Sequence, residues 1–298
     1  MPTVKIGNKL VGLEHPCFVI AEIGINHNGS LELAKKLIDT AILAGCDAVK
    51  FQKRTIDVVY TPEELSKPRE NPFGPTNGDL KRGLEFGKKE YDEIDRYCRE
   101  KNILWFASPW DEGSVDFLEQ YDPPCYKIAS ACNGDKGLME YIKSKGRQII
   151  VSTGMTNDAM IDRVVELLGE ENLIIMHCTA TYPSKEFELH LSNIPRLTKK
   201  YSKAVVGYSG HEVGVYSTLV AATLGACVIE RHISTDRTMW GSDQAASLET
   251  TGLHRLMKEL ISLTEYRGKD IKTILESEKP LAAKLRRIKT LFEDMDIA

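Results

Sequence analysis

Short, almost continuous apolar runs recur along the chain, and each run ends in small or polar residues. Such runs are typical of parallel strands that are covered on both faces. They predict eight strands, over residues 17–24, 47–52, 104–109, 125–130, 148–154, 173–179, 204–210 and 227–233.

The segments between these runs have helical periodicity. Residues 30–44 repeat apolar side chains at helical spacing, and Ser30 is suited to cap the N-terminus. Further helices are predicted over 89–101, 113–120, 137–145, 158–168, 213–224 and 251–266, several of them ending near Gly or Asn. The alternation predicts an α/β fold, a single-domain (β/α)8 TIM barrel over residues 1–267. A doubly wound open sheet is the alternative, although the first turn, GINHNG, does not match GxGxxG.

Two segments do not follow the alternation of strands and helices. Residues 54–86 are rich in Pro, Gly, Asn and charge, and a long loop after a strand is typical of an active-site loop or lid. The tail, residues 268–298, is charged, and its stretch 281–292 can form a short amphipathic helix suited to an oligomer contact.

Composition excludes several classes of protein. The chain is 42% hydrophobic and 28% charged, which is typical of a globular protein, and its net charge of −4 argues against a nucleic-acid binder. No apolar stretch reaches the roughly 18 residues of a membrane span, and the N-terminus lacks a signal-peptide core. Seven scattered Cys without a CxxC pair fit reduced thiols. We therefore expect a soluble cytoplasmic protein.

Polar residues collect where the predicted strands end, which in a barrel is the active-site face. They are Glu22, Asn26, His27, Lys50, Gln52, Ser108, Lys127, Ser130, Ser152, Thr153, His177, Thr179, Tyr182, Ser209, His211, Glu230, Arg231, His232 and Asp243. Two Lys, an Arg and several hydroxyls predict a basic pocket for a phosphate or a carboxylate. Alternatively, single polar residues are structural, although Lys is rarely buried unpaired.

Histidines supply the candidate metal site. His211 and His232 end neighbouring strands, so their neutral imidazoles can converge on Mn, Fe, Zn or Co. His177 is either a core histidine or an outer ligand, and His27 either stabilises its turn or takes part in catalysis.

Seven motifs follow one another in barrel order: AEIGINHNGS (21–30), AVKFQ (48–52), YKIAS (126–130), VSTGM (151–155), HCTATYPS (177–184), GYSGHE (207–212) and ERHIS (230–234). Together they resemble the N-acetylneuraminate (sialic acid) synthases, which are phosphoenolpyruvate-dependent sugar acid synthases on (β/α)8 barrels. The resemblance implies condensation of phosphoenolpyruvate with an aldehyde sugar, N-acetylmannosamine or a related aldose. The products would be a 2-keto-3-deoxy sugar acid and phosphate. It also implies a homodimer and a divalent metal, manganese first, with magnesium or cobalt as alternatives.

The resemblance assigns roles to matching positions. Phosphoenolpyruvate would be bound by Lys50, Ser108, Lys127, Ser130, Ser152 and Ser209. The sugar would contact Glu22, Gln52, Asn77, Tyr182 and Asp243. The metal would be held by His211 and His232, and the catalytic set would be Glu22, Lys50, Lys127, His211 and His232.

Departures from the family pattern concern the acceptor sugar. The chain resembles a short member without the antifreeze-like C-terminal domain, and Ala180 and Gly210 replace larger residues near the expected sugar site. The loop adds Lys67, Arg69, Lys81 and Arg82, a charge run that is either solvated or binds a phosphorylated sugar. Lys53 and Arg54 directly follow strand two, so they are better candidates for binding an acidic acceptor. Three alternatives stay open: a synthase acting on a phosphorylated sugar, a metal-dependent or Schiff-base aldolase or lyase using Lys50 or Lys127, and a non-catalytic scaffold.

Overall fold

The computed structural model describes residues 2–268 and 271–287. In chain order the strands are β1 (Thr3–Ile6), β2 (Lys9–Gly12), β3 (Phe18–Gly24), β4 (Ala48–Lys53), β5 (Pro68–Asn71), β6 (Gly74–Thr76), β7 (Leu104–Pro109), β8 (Cys125–Ile128), β9 (Gln148–Ser152), β10 (Leu173–Cys178), β11 (Val205–Gly210) and β12 (Val228–His232). The helices are α1 (Leu31–Ala44), α2 (Ile56–Val59), α3 (Pro62–Ser66), α4 (Asn77–Leu84), α5 (Lys88–Lys101), α6 (Glu112–Glu119), α7 (Lys136–Ser144), α8 (Asp158–Leu168), α9 (Asn193–Lys200), α10 (Tyr216–Thr223), α11 (Thr250–Arg267) and α12 (Lys279–Leu285).

The main sheet is a nearly closed barrel. In the part of the chain that is described, it contains eight parallel strands in the order β7-β4-β3-β12-β11-β10-β9-β8. The two end strands, β7 and β8, contact each other, so the sheet curls round on itself. The prediction of a (β/α)8 barrel is confirmed, and all eight predicted barrel strands are present in these residues.

Two-residue alternation along each strand separates an outer core from an inner one. On β3, Val19 and Ala21 face the helices, whereas Phe18 and Ile20 belong to the cluster inside the barrel. The next inward residue along β3 is Glu22, which is polar and lines a cavity. Other barrel strands repeat this change from apolar to polar inward residues, so the apolar layer lies at the N-terminal end and the polar layer at the C-terminal end.

The N-terminal hairpin closes the bottom of the barrel. Strands β1 and β2 pair antiparallel, and Val4, Ile6 and Val11 join the inner cluster. The sequence interpretation missed this hairpin, because each of its strands has only four residues.

The segment 54–86 is a folded insertion rather than an irregular loop. It contains α2, α3, the hairpin β5–β6 and α4, and Thr76 and Asp79 form a capping box at the start of α4. These elements have three to eight residues each, too few for periodicity to reveal them.

All seven predicted helices are present in the described residues, and apart from the start of α10 their ends are displaced by no more than one residue. Ser30 caps α1 by accepting from the Leu33 N–H, and Gly45 and Asn102 end their helices with φ of 88° and 55°. One predicted helix begins later than expected, since α10 starts at Tyr216 rather than at residue 213, and the sequence analysis did not predict α9.

Contacts divide the chain into a unit that runs to Leu263 and a second unit from Thr264 onward. The predicted boundary at residues 267 and 268 therefore stays a prediction. Within the second unit α12 covers the first part of the predicted tail helix 281–292, and residues 288–292 lie outside the described residues. Among the residues described, no helix combines the length and apolarity needed to span a membrane.

A substitution inside the barrel tests this packing. A Cβ at Gly207 would lie 2.4 Å from Met176 Sδ and 2.7 Å from the Val228 carbonyl oxygen, and that backbone atom cannot move freely. We expect Gly207→Ala to lower the free energy of unfolding by about 1–3 kcal/mol. Urea denaturation followed by circular dichroism measures the change.

The matched control is Gly252→Ala in α11, where the nearest atom to an added Cβ is Leu248 Cδ2 at 3.6 Å. It should leave stability unchanged or raise it by about 0.5–1 kcal/mol. Equal stability of the two variants would contradict the inner packing described above.

Candidate active site

A cavity of about 260 Å³ opens at the C-terminal end of the barrel strands. Its lining includes every residue predicted to bind substrate or metal except Asn77: Glu22, Lys50, Gln52, Ser108, Lys127, Ser130, Ser152, Tyr182, Ser209, His211, His232 and Asp243. The inward positions of the strands thus bring together residues that are up to 221 positions apart in sequence, as the separation of Glu22 and Asp243 shows.

Four buried charged groups form the floor of this cavity. Lys50 Nζ lies 3.0 Å from Glu22 Oε2 and 3.8 Å from Glu230 Oε1, and Lys127 Nζ lies 3.5 Å from the same Glu230 oxygen. Glu230 is therefore shared by both lysines. Its other oxygen, Oε2, is buried without a hydrogen-bond partner.

The two carboxyl groups of the floor differ in protonation. Burial alone would raise the pKa of Glu230, but Lys127 and Lys50 outweigh it and lower this pKa to about 2. Burial dominates at Glu22 and raises its pKa to about 7, although Lys50 partly opposes the shift. Glu230 is therefore ionised at neutral pH, whereas Glu22 can gain or lose a proton in this pH range.

The pKa values of the two lysines are shifted in opposite directions. Burial lowers the pKa of Lys127, although Glu230 opposes the shift. At Lys50 the attraction of Glu22 and Glu230 outweighs burial and raises the pKa. A pair of carboxylates therefore keeps Lys50 charged, while the charge of Lys127 depends on Glu230.

Hydroxyl groups surround the floor. Lys50 Nζ donates to Ser108 Oγ at 3.1 Å, and Lys127 Nζ donates to Ser152 Oγ at 2.5 Å. Ser209 Oγ donates to Glu230 Oε1 at 3.1 Å. Ammonium and hydroxyl groups together offer the converging donors that an oxyanion needs.

His211 and His232 lie beside this floor with their ring centroids 5.3 Å apart. Burial lowers the pKa of His211 to about 4 and that of His232 to about 3, so both rings are neutral at physiological pH. His211 Nδ1 donates to the Thr179 carbonyl oxygen at 2.7 Å, which leaves Nε2 as its free lone pair. Tyr182 packs against His211, with ring centroids 4.1 Å apart.

These two histidines fit a divalent metal ion. They are neutral and close together, and His232 Nδ1 is buried without a hydrogen-bond partner, 3.7 Å from Asp243 Oδ2. The described residues contain no group of three or more His, Cys, Asp or Glu side chains arranged to hold a metal.

The structure does not bring Asn77 to the cavity. Its Nδ2 donates to Glu64 Oε1 at 3.1 Å, and its Oδ1 accepts from Arg69 Nη1 at 3.2 Å. Asn77 is the first residue of α4, and these contacts hold it within the insertion. Its proposed sugar contact stays a prediction.

Two further histidines have structural surroundings. His177 Nε2 lies 2.6 Å from the Leu189 carbonyl oxygen and is buried, which fits the core alternative. His27 Nδ1 accepts from the Gly29 N–H at 3.1 Å, and its ring stacks on Phe86. That geometry fits the turn-stabilising alternative for His27.

The interpretation of Arg231 as part of the basic pocket is wrong. Strand alternation turns Arg231 away from the cavity that its neighbours Glu230 and His232 line. Arg231 Nη1 instead lies 3.1 Å from Glu212 Oε1 and donates to Thr218 Oγ1 at 2.6 Å, with Arg231 fully buried.

Among the other lining residues, Tyr60 and Trp110 had no role assigned from the sequence, whereas Arg54 and Lys81 were candidates for binding an acidic or phosphorylated acceptor. Tyr60 and Lys81 come from the insertion, and Trp110 follows β7. Trp110 continues the inward positions of β7 two residues beyond Ser108, so extending the alternation past the strand end would have identified it. Arg54 continues β4 in the same way, beyond Gln52.

Comparison with known proteins identifies the family. A model of the NeuB family matches residues 37–272. The chain belongs to the NeuB family.

Relatives of this NeuB-family chain are named synthases. N-acetylneuraminate-9-phosphate synthase of Homo sapiens is 36% identical over 279 residues, covering 92% of this chain and 78% of that protein. N,N'-diacetyllegionaminic acid synthase of Legionella pneumophila is 31% identical over 299 residues, covering 97% of this chain and 84% of that protein.

Solved structures agree with this fold. N-acetylneuraminic acid (sialic acid) synthetase of Leptospira borgpetersenii, in complex with citrate, has a TM-score of 0.84 at 31% identity, covering 96% of this chain and 98% of that chain. A truncated 3-deoxy-D-arabino-heptulosonate 7-phosphate synthase of Thermotoga maritima has a TM-score of 0.68 at 13% identity and shares the fold. The NeuB-family chain is therefore an enzyme, and its relatives support condensation of phosphoenolpyruvate with a sugar.

The shared carboxylate of the floor generates a stability prediction. Glu230→Gln removes the charge that both buried lysines face, so we expect it to lower the free energy of unfolding at pH 7 by about 3–5 kcal/mol. Because the pKa of Glu230 is about 2 in the folded protein and ordinarily 4.5, its contribution is present above pH 4.5 and is lost as pH falls toward 2.

Urea denaturation of wild type and variant at pH 7, 5 and 3.5 measures this difference. The control is Asp116→Asn, which breaks an exposed pair with Lys145 at 3.0 Å and should change stability far less. A Glu230→Gln protein as stable as the control would show that the lysines do not depend on Glu230.

Proposed function

We propose that this enzyme condenses phosphoenolpyruvate with an aldose of the N-acetylmannosamine type, giving a 2-keto-3-deoxy sugar acid and inorganic phosphate. The observation that carries the proposal is a single cavity with two buried lysines and hydroxyls beside two neutral histidines 5.3 Å apart. The names of the relatives, among them sialic, legionaminic and pseudaminic acid synthases, support an acceptor of this class.

The lysine floor suits phosphoenolpyruvate. This substrate carries up to three negative charges on adjacent phosphate and carboxylate groups, and Lys50 and Lys127 each bring an ammonium group with a neighbouring serine hydroxyl. Ser130 extends this set, since its Oγ accepts from the Gly154 N–H at 3.1 Å and donates to Cys178 Sγ at 3.7 Å, a weak acceptor that a ligand oxygen could replace. Because the side chains are buried, their attraction for an anion is weakly screened.

We propose that His211 and His232 hold a divalent cation, manganese first, with magnesium or cobalt as alternatives. When bound, such an ion supplies Lewis-acid polarisation of the sugar aldehyde oxygen. Both histidines are suited to bind a cation, because burial lowers their pKa and keeps them neutral. The Thr179 carbonyl group also fixes the tautomer of His211.

The proposed reaction consumes one water. C3 of phosphoenolpyruvate forms a carbon–carbon bond with the aldehyde carbon, whose oxygen becomes a hydroxyl group. Water adds to C2. The bond between C2 and the phosphate ester oxygen then breaks, which releases phosphate and leaves the 2-keto group. Lys50 and Lys127 hold the anionic groups in place, and Glu22 is suited to exchange a proton because its pKa lies near 7. In its charged form Glu22 would also stabilise positive charge at C2.

Gln52, Tyr182 and Asp243 are the proposed sugar contacts. All three line the cavity, and Gln52 Nε2 already donates to Glu22 Oε1 at 3.2 Å. Ala180 also lines it, so its small side chain leaves room at the sugar. Gly210 does not contribute there, because a Cβ at this position would meet Tyr208 and Glu212 outside the cavity.

The experiment that tests the function is phosphate release from phosphoenolpyruvate with manganese and a panel of aldoses, with product mass measured in parallel. The panel contains N-acetylmannosamine, mannose and arabinose-5-phosphate. We expect release only with a sugar present, a product mass equal to the sum of both substrates plus water minus phosphate, and loss of activity with a chelator.

An aldolase would behave differently. Borohydride in the presence of a keto acid would then trap a Schiff base on Lys127 or Lys50, without any need for metal. Trapping of this kind, together with no sugar-dependent phosphate release, would contradict the synthase proposal.

Replacing one floor lysine separates substrate binding from folding. We expect Lys127→Ala to remain folded and to raise the apparent KM for phosphoenolpyruvate by roughly 10-fold or more, because a charged hydrogen bond to the anion is lost. Steady-state phosphate release against phosphoenolpyruvate concentration measures the change. The control Lys136→Ala removes a largely exposed lysine of α7 and should not change this KM. An unchanged KM in Lys127→Ala would argue against the anion site at the floor.

A further inference from the structure

We propose that the buried ion pair between Arg231 and Glu212 positions the side chains of His211 and His232. The pair would hold the ends of β11 and β12 together, so that the two imidazole rings keep their separation before a cation binds. The inference rests on the proposed function, since it assigns the cation to these histidines. Neither Arg231 nor Glu212 lines the cavity, so both would act through their neighbours in the chain.

Each partner of the pair is directly next to one histidine in sequence. Glu212 follows His211, and Arg231 precedes His232. Parallel pairing brings the two strands into register, with Gly210 opposite Arg231. Because side chains alternate along extended chain, the histidines point into the cavity while Arg231 and Glu212 point to the other side. Contacts that fix the pair therefore also fix the backbone that carries both histidines.

The guanidinium group of Arg231 contacts both the side chain and the backbone of the residue after His211. Arg231 Nη1 lies 3.1 Å from Glu212 Oε1, and Arg231 Nη2 donates to the Glu212 carbonyl oxygen at 2.5 Å. Nη1 also donates to the Gly214 carbonyl oxygen at 2.8 Å and to Thr218 Oγ1 at 2.6 Å. Because a guanidinium group is planar and its donors have fixed directions, these contacts set the position of the loop after β11 relative to β12.

Hydroxyl groups hold the Glu212 carboxylate in one orientation. Tyr208 Oη donates to Glu212 Oε2 at 2.8 Å, and Ser217 Oγ donates to Glu212 Oε1 at 2.5 Å. Tyr208 belongs to β11 and Ser217 to α10, so a strand and a helix both contribute. Gly210 leaves room for the carboxylate, since a Cβ there would lie 2.7 Å from Glu212 Oε2.

Stability alone gives a poor account of this pair. Arg231 and Glu212 are almost fully buried, and replacing a buried ion pair by apolar residues is often neutral or stabilising. Arg231 Nε has no hydrogen-bond partner among the described residues, which adds a further cost. A positioning role explains the pair better, because the ligands of a functional site must be held to within about 0.5 Å.

The histidines have few side-chain contacts of their own to orient them. His211 Nδ1 donates to the Thr179 carbonyl oxygen at 2.7 Å, whereas His232 Nδ1 has no hydrogen-bond partner in the described part of the chain. The position of the His232 ring therefore depends on its backbone, which Arg231 directly precedes.

Titration with Mn²⁺ alone tests the proposal, because the electron paramagnetic resonance signal of the free ion is lost on binding. Glu212→Gln keeps the shape of the side chain and removes the charge that faces Arg231. We expect it to weaken Mn²⁺ binding by roughly 10-fold, the effect typical of residues that support metal ligands. Tyr208→Phe loses only one hydrogen bond to the carboxylate, so it should fold and show a smaller loss of affinity. If Glu212→Gln does not fold, Tyr208→Phe decides.

A second Arg–Glu pair in the same barrel provides matched controls. Arg147 Nε lies 2.8 Å from Glu119 Oε1, and Tyr126 Oη donates to the same oxygen at 2.6 Å. None of these three residues lines the cavity. Glu119→Gln and Tyr126→Phe should keep the Mn²⁺ affinity of wild type even where they lower the free energy of unfolding. Equal affinity losses in both sets of variants would overturn the proposal and indicate a general effect of stability.

The His211 ring gives a second result that needs no metal. Nitrogen NMR of protein labelled in its histidine rings reports the tautomer, and we expect Nδ1 protonated in wild type and a mixture of tautomers in Glu212→Gln. If wild type binds no Mn²⁺, that mixture still supports the positioning role and contradicts only the proposed metal site, whereas an unchanged tautomer overturns the role as well. If Mn²⁺ binding is lost in His211→Ala but equal in wild type, Glu212→Gln and Tyr208→Phe, the positioning role is overturned and the metal site stands.

Discussion

A buried carboxylate shared between two lysines is the interaction on which this site depends. Glu230 lies within 4 Å of both Lys50 and Lys127, inside a barrel that excludes most water. Each of these charges alone would carry a desolvation penalty of several kcal/mol. Together they compensate one another, and the lysines keep the pKa of Glu230 low. The barrel can therefore keep cationic donors in its interior before any anion binds.

The alternation of side chains along each strand is what separates this charged layer from the core. The inward residues of β4 are Ala48, then Lys50, then Gln52, so a single strand passes from the inner apolar cluster to the polar cavity. The hairpin β1–β2 covers the apolar end, where Val4 and Ile6 pack inside the barrel. Because the apolar layer at the N-terminal end supplies stability, the polar layer at the C-terminal end can contain charged residues that serve catalysis.

The same alternation explains how much the sequence could predict. Continuous apolar runs revealed the eight barrel strands, and polar strand ends revealed the lysines, serines and histidines of the cavity. Arg231 was assigned to the pocket because of its residue type alone. It lies between Glu230 and His232, which point inward, so the alternation of side chains should have placed it on the outer face. Lys81 and Tyr60 could not be placed, because the path of the insertion is fixed by tertiary contacts and short elements that have no period. The same path holds Asn77 within the insertion.

The charged lysines and the neutral histidines occupy different parts of the cavity, and this separation gives direction to the proposed reaction. Lysines lie at the floor, neutral histidines lie beside them, and Arg54 lines the cavity just beyond the end of β4. A trianionic donor would bind at the floor, so the neutral aldehyde of the acceptor would meet the histidines. The donor would also add negative charge near Glu22, and like charges raise the pKa of a carboxyl group further. Donor binding would thus favour protonated Glu22, so that the group able to give a proton is formed in the complex that requires it.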